Sequence, residues 1–297
     1  MNPPDYENQA SKNIREAVAG LLTEVPQLSN ILKAFEDLLA ERAAFRDALP
    51  RIETADLVVD PVKYSQGVPV LIRESFAVPE GLFQNAVQRL IPAMEKGLPG
   101  IAIQLDVIKT ALDRGDPSLE SFRGLAPPTD DAETGTIARR LGVEPQVLKF
   151  VVFQLLKPFV EKRAEAIAKI LEGLSWLKGY CPICGSWPEL SFLEGTEGRR
   201  WLRCSFCAHH WPYIRTNCPF CETSDQEKIE IYFSSDRPWE RAELCHECKK
   251  YIVSLDLRNR VENPPLEVAV LGLVYLDLLA QEKGFDPGAI TGWNTLV

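Results

Sequence analysis

Apolar residues recur every three to four positions through much of the first 178 residues, a pattern typical of helices that bury one face. The first predicted helix carries this stripe at Ile31, Leu32, Phe35, Leu38, Leu39 and Phe45. Further helices are predicted after Pro79, over about residues 101–112 and 130–141, and from Pro145 to about Trp176. Pro158 predicts a kink or break in the last of these, because proline lacks the N–H that a helix interior needs. Residues 53–78 lack the pattern and are predicted to be mainly loop.

The pattern changes at Gly179 to alternating apolar and polar positions, which is typical of strands. A hairpin is predicted from residues 189–193 and 199–203, with further strands over 228–233 and 251–257. Beyond these, the two consecutive prolines at 264 and 265 open a final helix that is predicted to end near residue 283. Apolar residues cover most of its circumference, so we expect it to be buried between the helical part and the strands, with a partner interface as the alternative.

These patterns predict an α+β fold: an N-terminal all-helical domain, two tandem β modules and a C-terminal helix. The predicted boundaries are 1–178 for the helical domain, 179–217 and 218–262 for the modules, and 263–297 for the closing helix and tail. The modules are internal repeats of each other, since each runs from one Cys-x-x-Cys motif through strands to a second.

Net charge and apolar content limit the partners and the cellular location that we expect for this chain. The 297 residues carry a net charge of −9, which disfavours contact with nucleic acid and anionic membranes. The first residues lack the basic region and apolar core of a signal peptide, and the longest apolar stretch, around 268–280, is too short to span a bilayer. A cytoplasmic location without a membrane span is therefore expected.

The cysteines carry the candidate chemistry. All eight lie in four Cys-x-x-Cys motifs, and clustered cysteines in a reducing compartment indicate metal or redox chemistry before disulfides. Two such motifs supply the four soft thiolates of a tetrahedral zinc or iron site. Pairing consecutive motifs predicts a first metal site at Cys181, Cys184, Cys204 and Cys207. It predicts a second metal site at Cys218, Cys221, Cys245 and Cys248.

Several alternatives stay open at this point. The motifs could pair in an interleaved way, first with third and second with fourth. A thioredoxin-like redox motif is disfavoured, because strand-like runs follow the cysteines where that fold needs a helix. Eight thiolates already fill two tetrahedral shells, so His209, His210 and His246 are expected not to be ligands. Cations near the motifs could offset the thiolate charge or be ordinary solvated charges: Arg203, Arg215, Lys249 and Lys250.

The sequence gives little support to a nucleic-acid-binding function or to an enzymatic one. Residues 181–260 contain 11 Lys and Arg against 12 Asp and Glu, whereas a nucleic-acid-binding ribbon is normally basic. The sequence shows no glycine-rich phosphate loop and no nucleophile elbow, and sites filled by four protein ligands are of the closed, structural type. The chain is therefore expected not to be an enzyme, although iron in such a site could still transfer electrons.

The cysteine region resembles a known family, the formate dehydrogenase accessory proteins called FdhE. The motif at 181–188, Cys-Pro-Ile-Cys-Gly-Ser-Trp-Pro, is similar to the opening signature of that family. The similarity continues through Arg200 to Cys204, through Cys218 to Cys221, and to Glu243, and it covers about residues 179–285. Over the helical N-terminal part it rests on length and helical content.

The resemblance implies a cytoplasmic maturation factor that binds the catalytic subunit of a molybdenum- or tungsten-dependent formate dehydrogenase and promotes its assembly or activation. It also implies rubredoxin-like modules that hold iron on the eight cysteines, whereas the thiolates themselves suit two metal ions of either iron or zinc. Two other hypotheses remain beside it: a zinc-ribbon module that binds nucleic acid or transcription machinery, and a rubredoxin-like electron-transfer protein.

Overall fold

The structure, a computed structural model, describes residues 10–50, 57–71, 78–125, 131–258, 260 and 263–294. The helices of the N-terminal part are α1 Ala10–Glu24, α2 Ser29–Ala48, α3 Pro61–Ser65, α4 Glu80–Gly97, α5 Ala102–Asp113, α6 Leu119–Gly124, α7 Asp131–Leu141 and α8 Pro145–Ala168. Seven strands follow: β1 Pro188–Glu194, β2 Arg199–Cys204, β3 His210–Pro212, β4 Ile229–Ser234, β5 Arg237–Cys245, β6 Lys250–Asp256 and β7 Asp286–Pro287. Helices α9 Leu266–Gly272 and α10 Val274–Glu282 precede β7. The α+β fold class is confirmed.

Helix α8 is the centre of the helical part. It is buried around most of its circumference, and its phenylalanines meet those of α2 edge to face, Phe35 with Phe150 at 6.2 Å and Phe45 with Phe159 at 5.6 Å between ring centroids. The helix runs on through Pro158 and ends at Ala168, before the predicted end at Trp176. Packing on all sides keeps α8 helical past the proline, where local propensity alone would favour a break.

The predicted loop over 53–78 contains one short helix, α3, among the residues that the structure describes. The side chain of Asp60 accepts hydrogen bonds from the backbone N–H groups of Val62 and Lys63 at 2.9 and 3.2 Å, and Pro61 occupies the first turn. An aspartate N-cap followed by proline is a common helix start, so this local signal was missed.

The strands form one sheet that crosses the boundary between the predicted modules. Its order is β3-β2-β1-β6-β5-β4, with β7 beside β6. Each module is an antiparallel meander, and the two meet where β1 pairs in parallel with β6, Leu190 opposite Val253 and Phe192 opposite Leu255. The predicted module boundaries stay a prediction, since hydrogen bonding continues across them.

An ion pair also crosses this boundary. Arg200 on β2 is buried and donates to the Glu243 carboxylate on β5 at 2.7 Å. The same guanidinium donates to Ser191 Oγ and to the carbonyl of Asn217, both at 2.8 Å. These bonds satisfy a buried cation on several sides, so Arg200 and Glu243 hold the two modules in one register.

The C-terminal segment lies between the helical part and the sheet, as expected, but it forms two helices. They join at Leu273, where the chain leaves helical geometry. Helix α9 packs on α1 and α2, and α10 packs on β5 and β6, so one hydrophobic core extends from Ile14 to Trp293. Because the helix is interrupted at Leu273, α9 packs on the helical layer and α10 packs on the sheet.

Buried charges sit where α2, α9 and the sheet meet. Arg42 donates to the Glu267 carboxylate at 2.6 Å and also to the side chain of Gln154. Arg203 lies 3.8 Å from the same carboxylate and pairs with Glu189. Burial by itself would raise the pKa of Glu267, but the nearby cations, chiefly Arg42 and Arg203, together outweigh it and lower that pKa to about 2. Glu267 is therefore a buried anion on which two cations depend.

Replacing Glu267 by alanine is expected to lower the free energy of unfolding by about 3 kcal/mol, because both guanidinium groups lose a buried counter-ion. Urea denaturation followed by circular dichroism measures this. The matched control is Glu36→Ala, since Glu36 lies 3.4 Å from the exposed Arg15, a class of surface pair worth less than about 1 kcal/mol. Equal losses in the two variants would contradict the assignment.

Deleting residues 264–297 is expected to give insoluble protein, because it removes α9 and α10 and opens apolar faces on both layers. The fraction recovered in the supernatant, compared with the full chain, measures the effect. A truncated chain that stays soluble and well folded would show that this segment covers a partner surface instead.

Candidate metal centres

The four Cys-x-x-Cys turns share one backbone feature. The residue after the second cysteine has a positive φ in all four, 76° at Gly185, 57° at Ala208, 63° at Glu222 and 59° at Lys249. In the turn that begins at Cys181, the Gly185 N–H donates to the Cys181 carbonyl at 3.0 Å, and the turns ending at Glu222 and Lys249 close likewise at 2.9 Å. Of these four residues, only Gly185 is of a type that adopts a positive φ without steric cost.

The three other residues adopt a conformation that costs an L-amino acid about 1 kcal/mol. Such strain persists where the surrounding structure requires it. Here the requirement is the direction of the sulfurs, since the closed turn directs both thiols of a motif to one side. In the first module the N–H of Ile183 also lies 3.4 Å from Cys181 Sγ, and that of Phe206 lies 3.4 Å from Cys204 Sγ.

The sulfurs converge in two groups of four, each within 4.8 Å of one another. The first group is Cys181, Cys184, Cys204 and Cys207. The second group is Cys218, Cys221, Cys245 and Cys248. The consecutive pairing is thus the one in the structure, and the interleaved pairing is not. Each group joins the turn before a hairpin to the turn after it, so the sulfurs close the base of β1–β2 and of β4–β5.

The spacing of the sulfurs fits a metal ion and not a disulfide. Sγ atoms lie 3.5 Å apart in the pair Cys181–Cys207 and 3.8 Å apart in the pair Cys218–Cys248. A tetrahedral ion with metal–sulfur bonds of about 2.3 Å places its sulfurs about 3.8 Å from each other, whereas a disulfide needs about 2.0 Å. Each group could therefore hold one zinc or iron ion, and four thiolates suit either metal.

The first group is covered by the helical part of the chain. Lys157 on α8 is buried and donates to the carbonyl of Ser205, between Cys204 and Cys207, at 2.6 Å. Phe153 on the same helix packs on Phe206, with ring centroids 5.4 Å apart. Helix α8 thus places one buried cation and one aromatic ring against the second turn of this group.

A segment near α3 covers the first turn of the same group. The N–H groups of Val70 and Leu71 donate to the carbonyls of Pro182 and Ile183 at 3.0 and 2.7 Å. Sequence reasoning missed this contact and that of Lys157, because the residues lie far from the cysteines along the chain. Between residues 150 and 160 only Gln154 and Lys157 are polar, so a lysine inside a mainly apolar stretch was the available signal for Lys157.

Three of the four cations proposed from the sequence, Arg203, Lys249 and Lys250, have other partners. Arg203 pairs with buried glutamates, as described above, and Lys249 lies over the ring of Phe285 at 5.4 Å. The Nζ atom of Lys250 lies 5.8 Å from the ring centroids of both Trp187 and Phe220. A cation that does donate to the backbone of the first group is Lys157, which sequence reasoning missed.

No histidine belongs to either cysteine group in the described part of the chain. Burial lowers the pKa of His209 to about 4, so this ring beside the first group is neutral at pH 7. His246 lies beside the second group, and its Nε2 is 3.0 Å from a carboxylate oxygen of Glu230. The histidines are neighbours of the sulfur groups.

Comparisons with known proteins agree with this geometry. The family model described as FdhE, central domain, matches residues 180–215, which contain the first group. An FdhE homologue of Aquifex aeolicus is 36% identical over 48% of this chain, and that of Haemophilus influenzae strain PittGG is 34% identical over 40%. These matches span 51% and 38% of the length of those relatives. An FdhE protein of Escherichia coli is 31% identical over 116 residues.

The fold is shared along nearly the whole chain. The crystal structure of the FdhE protein from Pseudomonas aeruginosa superposes with a TM-score of 0.64 and covers 99% of this chain and 98% of that one, at 19% sequence identity. The resemblance to the FdhE family is confirmed by sequence, and along the rest of the chain the shared feature is the fold. Within the described residues, no helix combines the length and the apolar character that a bilayer span requires.

Each sulfur group is expected to bind one metal ion, so protein purified under reducing conditions should contain two ions per chain. Replacing Cys204 by serine should remove the ion of the first group, and replacing Cys245 should remove that of the second. Elemental analysis against protein concentration measures the stoichiometry. Wild-type protein without bound metal, or with disulfides among these cysteines, would contradict both centres.

Proposed function

We propose that this chain, a relative of the FdhE proteins, is a formate dehydrogenase accessory protein. In this proposal it binds the catalytic subunit of a molybdenum- or tungsten-dependent formate dehydrogenase and promotes its assembly or activation. The observation that carries the proposal is the family match at residues 180–215 together with the fold shared along the chain. A cytoplasmic location belongs to the same proposal, since the immature subunit is made there.

The two metal centres support a role in binding rather than in catalysis. Four protein thiolates surround each point of convergence, which leaves no coordination position for a substrate or a water molecule. Each centre closes the base of one hairpin and so stabilises a small module that has little core of its own. We infer that the centres shape the surface that the subunit contacts.

Capture of the partner tests this proposal. The tagged full-length chain, expressed in anaerobic cells that make a formate dehydrogenase, is expected to retain the catalytic subunit, identified by mass spectrometry. The matched control is a chain with both Cys204→Ser and Cys245→Ser, which should lose most of the captured subunit. Recovery of other proteins but no dehydrogenase catalytic subunit under these conditions would sink the proposal.

The chemistry of the metal is a separate question with its own measurement. Iron on four thiolates absorbs visible light and bleaches when reduced, whereas zinc is colourless and has no redox change. Absorption spectra of anaerobically purified protein, before and after dithionite, therefore distinguish electron transfer from a purely structural use of the centres.

A further inference from the structure

The two sulfur groups share one local geometry but differ in exposure. In the first group Cys181, Cys204 and Cys207 are buried and Cys184 is half-buried. In the second group Cys218 and Cys245 are buried, Cys248 is half-buried and Cys221 is exposed. Cys221 of the second group is thus the one cysteine of the eight that is exposed.

The difference in exposure between the groups follows from the residues that pack over each of them. Two separate elements close the first group, α8 through Lys157 and Phe153 and the segment before residue 72 through Val70 and Leu71. Both belong to the helical half of the chain. Opening the first group would therefore require local separation of the helical half from the sheet.

The second group lies at the base of the hairpin that ends the strand order. It closes the β4–β5 hairpin, and β4 is the terminal strand in the strand order. On its inner side the hydroxyl of Tyr213 donates to the Cys218 carbonyl at 3.2 Å, and the ring of Phe220 packs against Gly288, where a Cβ would lie 1.8 Å from the ring.

The outer side of the second group is open at Cys221. The adjoining Glu222 makes an ion pair at 3.3 Å with Lys178, and both of these side chains are substantially exposed. A surface pair of this kind contributes little and is easily broken. It therefore adds little to the cover over the exposed sulfur.

We propose that the second centre is an exchangeable metal site, while the first centre is a fixed one. An incoming thiolate or chelating nitrogen forms a bond to the metal as the bond from Cys221 Sγ to the metal breaks. The freed sulfur stays a thiolate or takes a proton from water, and no atom changes oxidation state. Repetition at the remaining sulfurs transfers the ion to the competing ligand. This proposal requires that each sulfur group binds a metal ion. It does not depend on the binding of a dehydrogenase subunit proposed above.

Chelator competition tests the proposal with the full-length protein loaded with zinc. Mixing with an excess of 4-(2-pyridylazo)resorcinol, and following the absorbance of its zinc complex, should give two phases of equal amplitude. The faster phase should be at least tenfold faster than the slower one. Circular dichroism after the fast phase should retain the helical signal, since the helical half and the first centre remain in place. A single phase that releases both ions would overturn the proposal.

Two matched variants assign the phases. Cys221→Ser should lose or further accelerate the fast phase and leave the slow one unchanged, whereas Cys184→Ser should act on the slow phase alone. Loss of the fast phase in Cys184→Ser, with the slow phase kept, would assign exchange to the first centre and overturn the proposal.

A labelling experiment on unaltered protein avoids any folding defect of the variants. After the fast phase the protein is alkylated with iodoacetamide and mapped by mass spectrometry. Label is expected on the second group, with Cys181, Cys184, Cys204 and Cys207 still protected. Label spread equally over the eight cysteines, or concentrated on the first group, would overturn the proposal.

Discussion

The convergence of four thiolates at the base of each hairpin is the constraint on which the cysteine-rich half depends. A hairpin of two short strands has too little apolar surface to be stable alone. Closing its base with a metal ion supplies free energy that the small core lacks. The positive φ values at Ala208, Glu222 and Lys249 are a local cost of this geometry, since the turn must direct both sulfurs of a motif to one point.

Two further interactions connect the two modules rigidly. The parallel pairing of β1 with β6 makes a single sheet, and the buried Arg200–Glu243 pair crosses the same boundary. The sheet then packs on α10 while α9 contacts α1 and α2. The cations of Arg42 and Arg203 around Glu267 require a defined geometry at this junction, because a buried charge without its partner is costly.

The two sulfur groups have the same four ligands but differ in burial, because residues of the helical half pack over the first group. Lys157 and the segment at Val70 and Leu71 close the first group, whereas the second group lies at the end of the sheet with Cys221 exposed. Identical ligands can therefore serve different purposes within one chain. A fixed centre would maintain the junction between the two halves, and an open one would exchange its ion with other soft ligands.

The sequence by itself determined the α+β class, most of the long helices, the β1–β2 hairpin and the four Cys-x-x-Cys motifs, and it favoured the consecutive grouping of the eight cysteines over the interleaved one. These features depend on periodicity and spacing over short stretches, such as the stripe of α2 or the gap between Cys184 and Cys204. Only the tertiary structure decided the parallel β1–β6 pairing, the break at Leu273, the continuity of α8 through Pro158 and the cover over the first sulfur group. Those features arise from contacts between residues far apart in the chain, as between Lys157 and Ser205. Periodicity and motif spacing describe only residues that are close in sequence, so they do not predict such contacts.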